Sequence, residues 1–462
     1  MAPQSETLGA ESARLDPPTV TAVSPSVRVP DRRDLLLVAA VAVGLRLVAA
    51  VLLVESPRGL ADPFLYQAFG QAIAAGYGYI SLLGQPTAYY PPGYPFTLAV
   101  LQWPLDRLGV PEALPAVAAV GQALLGGVTA AAVAVGGGRL AASLRTGPAP
   151  RAVGLAAGLL VAAWPNLVVY STVLLSETLF VALVSVALAA VLTVGRDVRW
   201  GAPLAVAAVV TGLATTVRPQ ALLYVPAVAA AWAVGRVPWR RIVLGTAVLL
   251  AGAAVVVAPW TLRNVVVMGA PVAVSTNLGD NLCIGFQDGA SGGFSMNAAC
   301  GTGTTYVDGP AVEVARNDEL QRRAVAWVGD HLGELPGLSV RKLWITFGSD
   351  WDAVRAAESY GAAPQLSDGV RPVVHAAFDL TWWLLVALAG VGLVVVGRSE
   401  GRRDVAGPVV ILTGLAGAVV PVLFFGDPRF KMGVAPSLIL LAGVGVVAVL
   451  GRLHPRQRGS TT

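Results

Sequence analysis

Apolar runs of about 17 to 22 residues recur along this chain. Each is long enough for a helix to cross the ~30 Å hydrocarbon layer of a bilayer, which needs roughly 20 residues. They fall at 35–54, 113–135, 153–170, 177–194, 201–217, 219–235, 242–259, 376–397, 405–425 and 433–451. A backbone in lipid must satisfy its own polar groups, so such runs fold as helices. The fold class expected is therefore an all-α polytopic membrane protein with about ten transmembrane helices. Composition agrees, with 55% hydrophobic and only 13% charged residues. Residues 1–33 are polar and rich in Pro, Ser and Thr, with no cleavable signal, and read as a disordered tail. The organisation expected is a transmembrane domain over 34–259 with a long loop at 55–112, a loop subdomain at 260–375, a second helical block at 376–451 and a short tail at 452–462.

Ten crossings put both termini on one side, and the arginines say which. The segments that would share that side carry Arg14, Arg28, Arg32 and Arg33, then Arg139, Arg145 and Arg151, Arg196 and Arg199, Arg236, Arg240 and Arg241, Arg398, Arg402 and Arg403, and finally Arg452, Arg456 and Arg458. The opposite connections are poorer: 171–176 is uncharged and Arg218 stands alone between two spans. The positive-inside rule then places the termini in the cytoplasm and the loops 55–112 and 260–375 outside. Segment 93–110 is apolar but holds Pro95, Pro104, Asp106 and Arg107; were it a crossing, the basic 139–151 loop would face outward. It is expected to be interfacial or re-entrant. The net charge of +5 is mostly this arginine bias, which suits anionic membrane lipids rather than nucleic acid. Thirty of the 32 basic residues are arginine, as expected of a GC-rich bacterial source.

Cys283 and Cys300 are the only cysteines, and both fall in the loop 260–375. An oxidising exterior permits a disulfide between them, and two unpaired thiols are the alternative. His331, His375 and His454 are scattered, and no Cys/His cluster has zinc spacing. The same loop is too long for a plain connector. Its turn-rich stretch 275–282, followed by Gly285, Gly292 and Gly293, could roof a cavity. A helix is expected around 313–330, and Trp344, Phe347 and Trp351 could bind an acceptor or pack against the membrane face.

The loop 55–112 carries the chemistry-bearing residues. After Asp62 and Pro63, the residues Leu65, Phe69, Ala72 and Ile73 recur at helical spacing while Gln67 and Gln71 lie on another face, which predicts an amphipathic interfacial helix. Asp62 is placed to be its N-cap, with proline at the first helical position. A capping carboxylate is a weaker base, yet it stays a good hydrogen-bond acceptor or metal ligand. Beyond Tyr77 and Tyr79 comes the run Tyr89, Tyr90, Pro91, Pro92, Gly93, Tyr94 and Pro95. Prolines stiffen such a segment and tyrosines suit a membrane interface. Tyr66, Tyr89, Tyr90, Pro92 and Tyr94 can serve as an aromatic belt, or shape a cavity for a substrate that is half lipid and half polar.

The order Asp62, Tyr66, Gly76-Tyr77-Gly78-Tyr79, Pro86-Thr87-Ala88-Tyr89 and Pro91-Pro92-Gly93-Tyr94-Pro95 resembles the first-loop signature of bacterial polytopic glycosyltransferases of the GT-C superfamily. Within it the likeness is to the group of protein O-mannosyltransferases, lipid A aminoarabinose transferases and core galacturonosyltransferases. Further matches follow in order: Ser176-Glu177-Thr178-Leu179-Phe180, Val217-Arg218-Pro219, Pro259-Trp260-Thr261-Leu262-Arg263-Asn264 and Asp427-Pro428-Arg429-Phe430. The resemblance spans roughly 35–450. It implies an enzyme of the bacterial plasma membrane that takes a sugar from a polyprenyl-monophosphate donor, acts on the outer face by inverting displacement, and delivers to an envelope glycan, lipid or protein. Asp62 matches the family's first-loop acid and Glu177 the acid at a later helix start. Pro63 stands where the family often has a second carboxylate, a departure that weakens a two-carboxylate metal site.

The chemistry gives these residues roles. An acceptor hydroxyl must lose a proton as it attacks the anomeric carbon, and Asp62 is the candidate base. The departing lipid phosphate gains negative charge, so Arg218, Arg263, Arg429 and Lys431, at or beyond outward helix ends, are candidate phosphate ligands. Snorkelling or contact with lipid headgroups is the plainer reading of each. Glu177 follows Ser176 at a helix start, where capping and the helix dipole alone would account for both; the resemblance adds an acceptor-orienting or metal-binding role. The sequence establishes no cofactor; a divalent metal ion on Asp62 and Glu177, bridging acid and phosphate, has a place in such chemistry. A ligase or polymerase using polyprenyl-diphosphate donors would share an outward site. A transporter would show repeats and ionisable groups at mid-membrane, where only Arg46 is found. A non-catalytic lipid-binding protein would survive loss of Asp62.

Overall fold

The computed structural model describes residues 29–144, 147–295, 300, 309–399 and 404–453. Most of the N-terminal tail expected to be disordered and of the short C-terminal tail, along with Arg145, Arg402 and Arg403, lies outside the described residues. Seventeen α-helices follow in chain order: α1 Arg32–Leu53, α2 Asp62–Ala74, α3 Gly93–Leu108, α4 Leu114–Ala142, α5 Pro150–Ala163, α6 Pro165–Tyr170, α7 Glu177–Val194, α8 Ala202–Val217, α9 Tyr224–Val234, α10 Trp239–Val267, α11 Leu278–Gly285, α12 Pro310–Asp330, α13 Leu335–Phe347, α14 Asp352–Ala357, α15 Arg371–Arg398, α16 Ala406–Leu423 and α17 Ala435–Leu453. Among the described residues there is no β-strand, only isolated bridges at Ile80–Pro86 and Gly293–Gly426.

Seven of these helices (α1, α4, α7, α10, α15, α16 and α17) are long and apolar enough to cross a membrane, and α5, α8 and α9 are shorter apolar helices. These ten coincide with the ten runs read from the sequence, and the chain is an all-α, multi-pass membrane protein. The run 153–170 is not one helix. Pro165 lacks an amide hydrogen and drives Trp164 to an extended ψ of 112°, so α5 stops at Ala163 and α6 starts afresh. The run drawn at 242–259 is longer than expected: α10 passes through Pro259 and ends at Val267.

Small residues let the helices approach closely. A Cβ on Gly392 of α15 would lie 1.9 Å from the Leu441 carbonyl of α17, and one on Gly445 would lie 2.0 Å from that of Leu388. Contact is then backbone to backbone, as in membrane helix pairs built on small residues. Gly126 and Gly127 of α4 likewise admit α1, against Arg46 and Val43 respectively. Gly138, further along α4, meets Pro30 instead, so α1 and α4 run antiparallel. The loop between them therefore begins and ends at one end of the bundle, and α3 adds no crossing. Arg46, buried in this seam, donates to the carbonyls of Ala42 (3.1 Å), Val161 (3.3 Å) and Ala162 (3.1 Å). It ties α1 to α5.

At the end of the bundle where the first loop sits, α11 to α14 form a lid. Cys283 and Cys300 are joined by a disulfide inside it, packed with Leu320. Glu313 of α12 clips the lid to the first loop, accepting from Thr87 Oγ1 (2.6 Å), the Ala88 amide (2.9 Å) and Thr276 Oγ1 (2.5 Å). Phe347 stacks on Trp382 and Trp351 on His375, so these two aromatics pack, while Trp344 is exposed. Within the lid, Lys342 of α13 is fully buried, its ammonium 3.5 Å above the Phe286 ring and 3.4 Å from the Val422 carbonyl. Burial pushes its pKa down from an ordinary 10.5 to about 7.

Lys342 makes stability depend on pH. Between pH 7 and 10.5 the unfolded chain holds a proton that the folded one does not, so stability rises with pH across that window and this residue costs most below it. Lys342→Met should melt at a higher temperature, with its largest gain at or below pH 7, and should flatten the rise seen in the parent. Thermal melts in micelles, followed by tryptophan fluorescence, check this; an unchanged slope contradicts it.

Candidate active site

Four segments far apart in sequence meet beneath the lid: the start of α2, the start of α7, the end of α8 and the 3-10 turn Pro428–Gly433 that precedes α17. Arg429 is the residue that joins them. Asp427 caps that turn by accepting from the Arg429 amide (2.8 Å), which fixes where the guanidinium emerges. Arg429 Nη1 then donates to Asp62 Oδ2 at 2.6 Å, and its Nε donates to Glu177 Oε1. Glu177 also receives Arg218 Nη2 at 2.6 Å. Two carboxylates and two guanidiniums make the cluster electrically neutral, and its members differ in exposure. Glu177 is fully buried, the Arg218 and Arg429 side chains are 11% and 16% exposed, and Asp62 is the most open at 29%.

The expected N-cap role of Asp62 is not what the structure shows. The cap position belongs to Ala61, and Asp62, already in the first turn, makes no capping bond. Its oxygens go instead to Arg429 and to the Tyr90 hydroxyl, which donates to Oδ1 at 2.8 Å. A charge-assisted bond to guanidinium outweighs a neutral amide cap. Ser176 likewise does not cap α7; its Oγ accepts from Arg218 Nε at 3.1 Å. Capping therefore explains neither residue.

The other candidates divide. Tyr66, Tyr90 and Tyr94 pack together behind Asp62, with Tyr66 5.1 Å from each of the other two rings, and Tyr89 lies edge-on to Tyr90. Pro92 and Arg263 line a cavity of about 750 Å³ whose walls come from α3, α7, α8 and α10 and are largely apolar. Arg263 stands outside the ion cluster. It donates to the carbonyls of Thr87 (2.8 Å) and Tyr79 (3.0 Å) and lies 4.8 Å over Trp260, so it holds the first loop in place while facing the cavity. Lys431 is a correction. Two residues along a 3-10 turn point to a different side, and its ammonium is fully buried against Asp350 (2.9 Å) and above the Trp382 ring, out of reach of any lipid phosphate.

Sequence reasoning missed a group supplied by the lid. Tyr360 has a φ of +55°, between Ser359 at +50° and Gly361 at +99°. Left-handed backbone at two non-glycine residues in succession is strained and persists only when held. Here Glu358 holds one side, accepting from the amides of Gln365 (2.8 Å) and Leu366 (2.9 Å) and pairing with Arg371. Ser359 Oγ holds the other by accepting the Arg58 amide (3.1 Å). The Tyr360 hydroxyl is buried, without a hydrogen-bond partner among the described residues, in the field of Arg429, Asp352, Asp62 and Glu177. Glu177 Oε2 is also unpartnered among the described residues. Burial, with the Asp352 carboxylate adding to it, pushes Asp427 up to about 6 against the pull of Arg429.

This arrangement can bind an anion and accept a proton. The exposed edges of Asp62 and Arg429 are a base and a fixed cation side by side; the apolar cavity comes near them in sequence at Val217, next to Arg218, and at Pro92, two residues from Tyr90. Arg429 stands between the two carboxylates, and among the described residues no group of three or more His, Cys, Asp or Glu side chains is placed to hold a metal ion.

No protein-family model matches the chain, and no curated protein matches it. Solved structures do. The apo oligosaccharyltransferase of Archaeoglobus fulgidus is 15% identical with a TM-score of 0.52, over 91% of this chain and 51% of that one. The oligosaccharyltransferase AglB of the same organism, in complex with an inhibitory peptide and a dolichol-phosphate, is 14% identical with a TM-score of 0.50, over 91% and 50%. ArnT from Cupriavidus metallidurans bound to undecaprenyl phosphate is 14% identical over 91% and 79%, at a TM-score of 0.38, too loose to bear on the fold. The chain spans about half the length of the archaeal structures, and at these identities what is shared is the fold. It is an all-α polytopic fold like that of the archaeal oligosaccharyltransferase.

Removing Glu177 should cost the most in this cluster. Glu177→Ala leaves two largely buried guanidiniums without their common partner, a loss of about 3–5 kcal/mol. A thermal melt showing Glu177→Ala as stable as the parent would contradict the pairing.

Proposed function

We propose that this chain is a membrane glycosyltransferase that moves a sugar from a polyprenyl-monophosphate donor to an envelope glycan, lipid or protein acceptor on the outer face of a bacterial plasma membrane. The observation that carries the reading is the position of the ion cluster relative to the cavity. Val217 lines the cavity and Arg218 belongs to the cluster; Pro92 lines it and Tyr90 holds Asp62. An apolar volume of about 750 Å³ that is lined by Arg263 and by Val217, the neighbour of Arg218, suits a ligand with an isoprenoid chain and an anionic head. The complex of AglB with a dolichol-phosphate supports the same ligand chemistry. The arginine-rich loops lie at the other end of the bundle, which supports an outward site.

In this reading the isoprenoid chain enters between α3, α8 and α10, and the phosphate meets Arg429, with Arg218 behind it and Arg263 facing the cavity. Asp62 takes the proton of the acceptor hydroxyl as its oxygen attacks the anomeric carbon. The bond from that carbon to the phosphate oxygen breaks, and polyprenyl phosphate leaves with the electron pair, its growing charge met by guanidinium. A single displacement inverts the anomeric centre. The Tyr360 hydroxyl is set to donate to an oxygen of the sugar or phosphate.

Reconstituted protein, a panel of radiolabelled polyprenyl-monophosphate and polyprenyl-diphosphate sugars, and a cell-envelope extract test this. Transfer from a monophosphate donor is expected, and Asp62→Asn should lower it by about 10²–10⁴-fold. If no sugar leaves a monophosphate donor, if only diphosphate donors react, or if Asp62→Asn retains full transfer, the reading fails.

A further inference from the structure

The ion cluster has no spare positive charge: Asp62 and Glu177 take up Arg218 and Arg429. A lipid phosphate that meets Arg429 at Nη1 therefore competes with the Asp62 carboxylate already there. The links differ in how they would yield. Both guanidiniums meet at the fully buried Glu177, and an ion pair taken from water on that side cannot open without leaving a charge unpaired. The link from Arg429 Nη1 to Asp62 Oδ2 joins the two members on the open side, 16% and 29% exposed, where water can screen the separated charges.

Resting on the glycosyltransferase reading, we propose that Arg429 is a shared group that withholds Asp62 until donor binds. The donor's phosphate displaces the Asp62 carboxylate from Nη1 while Nε stays on Glu177. Asp62 is then held only by the Tyr90 hydroxyl on Oδ1, and Oδ2 turns free to accept the proton of the attacking hydroxyl. Arg429 is thus a positioning residue for the base as well as a phosphate ligand, and donor binds before the acceptor is activated. An enzyme beside an aqueous periphery gains from this: with no donor in place, the base is occupied and activates no stray hydroxyl. The sequence supports the geometry, because the cap that Asp427 supplies to the Arg429 amide (2.8 Å) fixes the turn while the guanidinium exchanges partners.

The test is a double-mutant cycle on binding, not transfer. Full-length protein in nanodiscs is titrated with sugar-free polyprenyl monophosphate, read by tryptophan fluorescence, since Trp260 lines the cavity. Asp62→Asn should bind it about tenfold more tightly than the parent, because the competing carboxylate is gone. In an Arg429→Gln background the same substitution should change affinity by less than about twofold. If Arg429→Gln does not fold, because Glu177 then loses a partner, Arg429→Lys carries the cycle: an ammonium keeps the charge but cannot bridge two carboxylates in the guanidinium's fork. The uncharged polyprenol should bind the parent and all variants alike. Equal tightening with and without Arg429 would mean that Asp62 acts only through bulk charge, and would overturn the proposal. So would no tightening, or a polyprenol that follows the phosphate. Failure of the parent and of Asp62→Asn to bind any polyprenyl phosphate would overturn the glycosyltransferase reading itself.

Discussion

Everything at the candidate site depends on one guanidinium placed between two carboxylates. Arg429 joins the start of α2 to the start of α7 through Asp62 and Glu177, and Arg218 brings in the end of α8. Each is a costly group to take from water, and together they are neutral, which is what allows four charges to sit under a lid at the edge of an apolar bundle. The cluster thus works as a structural joint, and in the proposed function it also meets the anionic head of a lipid-sized ligand. Those two uses explain its gradient of exposure, dry at Glu177 and open at Asp62.

The bundle serves that joint by being rigid. Backbone contact at Gly392 and Gly445 and the three carbonyls around Arg46 leave little play between α15 and α17 or between α1 and α5. The first loop is fastened to the rest through Arg263 and Glu313, and the lid is fastened to the first loop through Ser359 and Arg58. Tyr360, in left-handed backbone between Glu358 and Gly361, is thereby held over the charges. Strain of this kind is maintained where the surroundings over-determine it, and here they are the ion pair and amide contacts of Glu358.

Much of this was legible in the sequence, and the parts that were not share a cause. Span length and arginine placement gave the helices, because hydrophobic thickness and charge act on each run locally. The helical spacing of Leu65, Phe69 and Ile73 gave α2 for the same reason. Partners were not legible. Asp62 has the right neighbours to be a cap, yet a guanidinium more than 360 positions later claims it. Arg429 and Lys431 look equivalent as outward cations, but a 3-10 turn sends one to the cluster and the other to Asp350. Tyr360 had no signal beyond a glycine after it, since its place is decided by contacts to Arg58 and Arg371. The break at Trp164 could have been read from Pro165, whereas the extension of α10 through Pro259 could not.

The central claim is that the base and the phosphate share Arg429. The most direct measurement is an experimental structure of the protein with a non-transferable polyprenyl phosphonate sugar. The account predicts a phosphonate oxygen on Arg429 Nη1, Glu177 still on Nε, and Asp62 released and facing the anomeric carbon. A phosphonate bound away from Arg429, or Asp62 still paired with it beside a bound donor, would contradict the account.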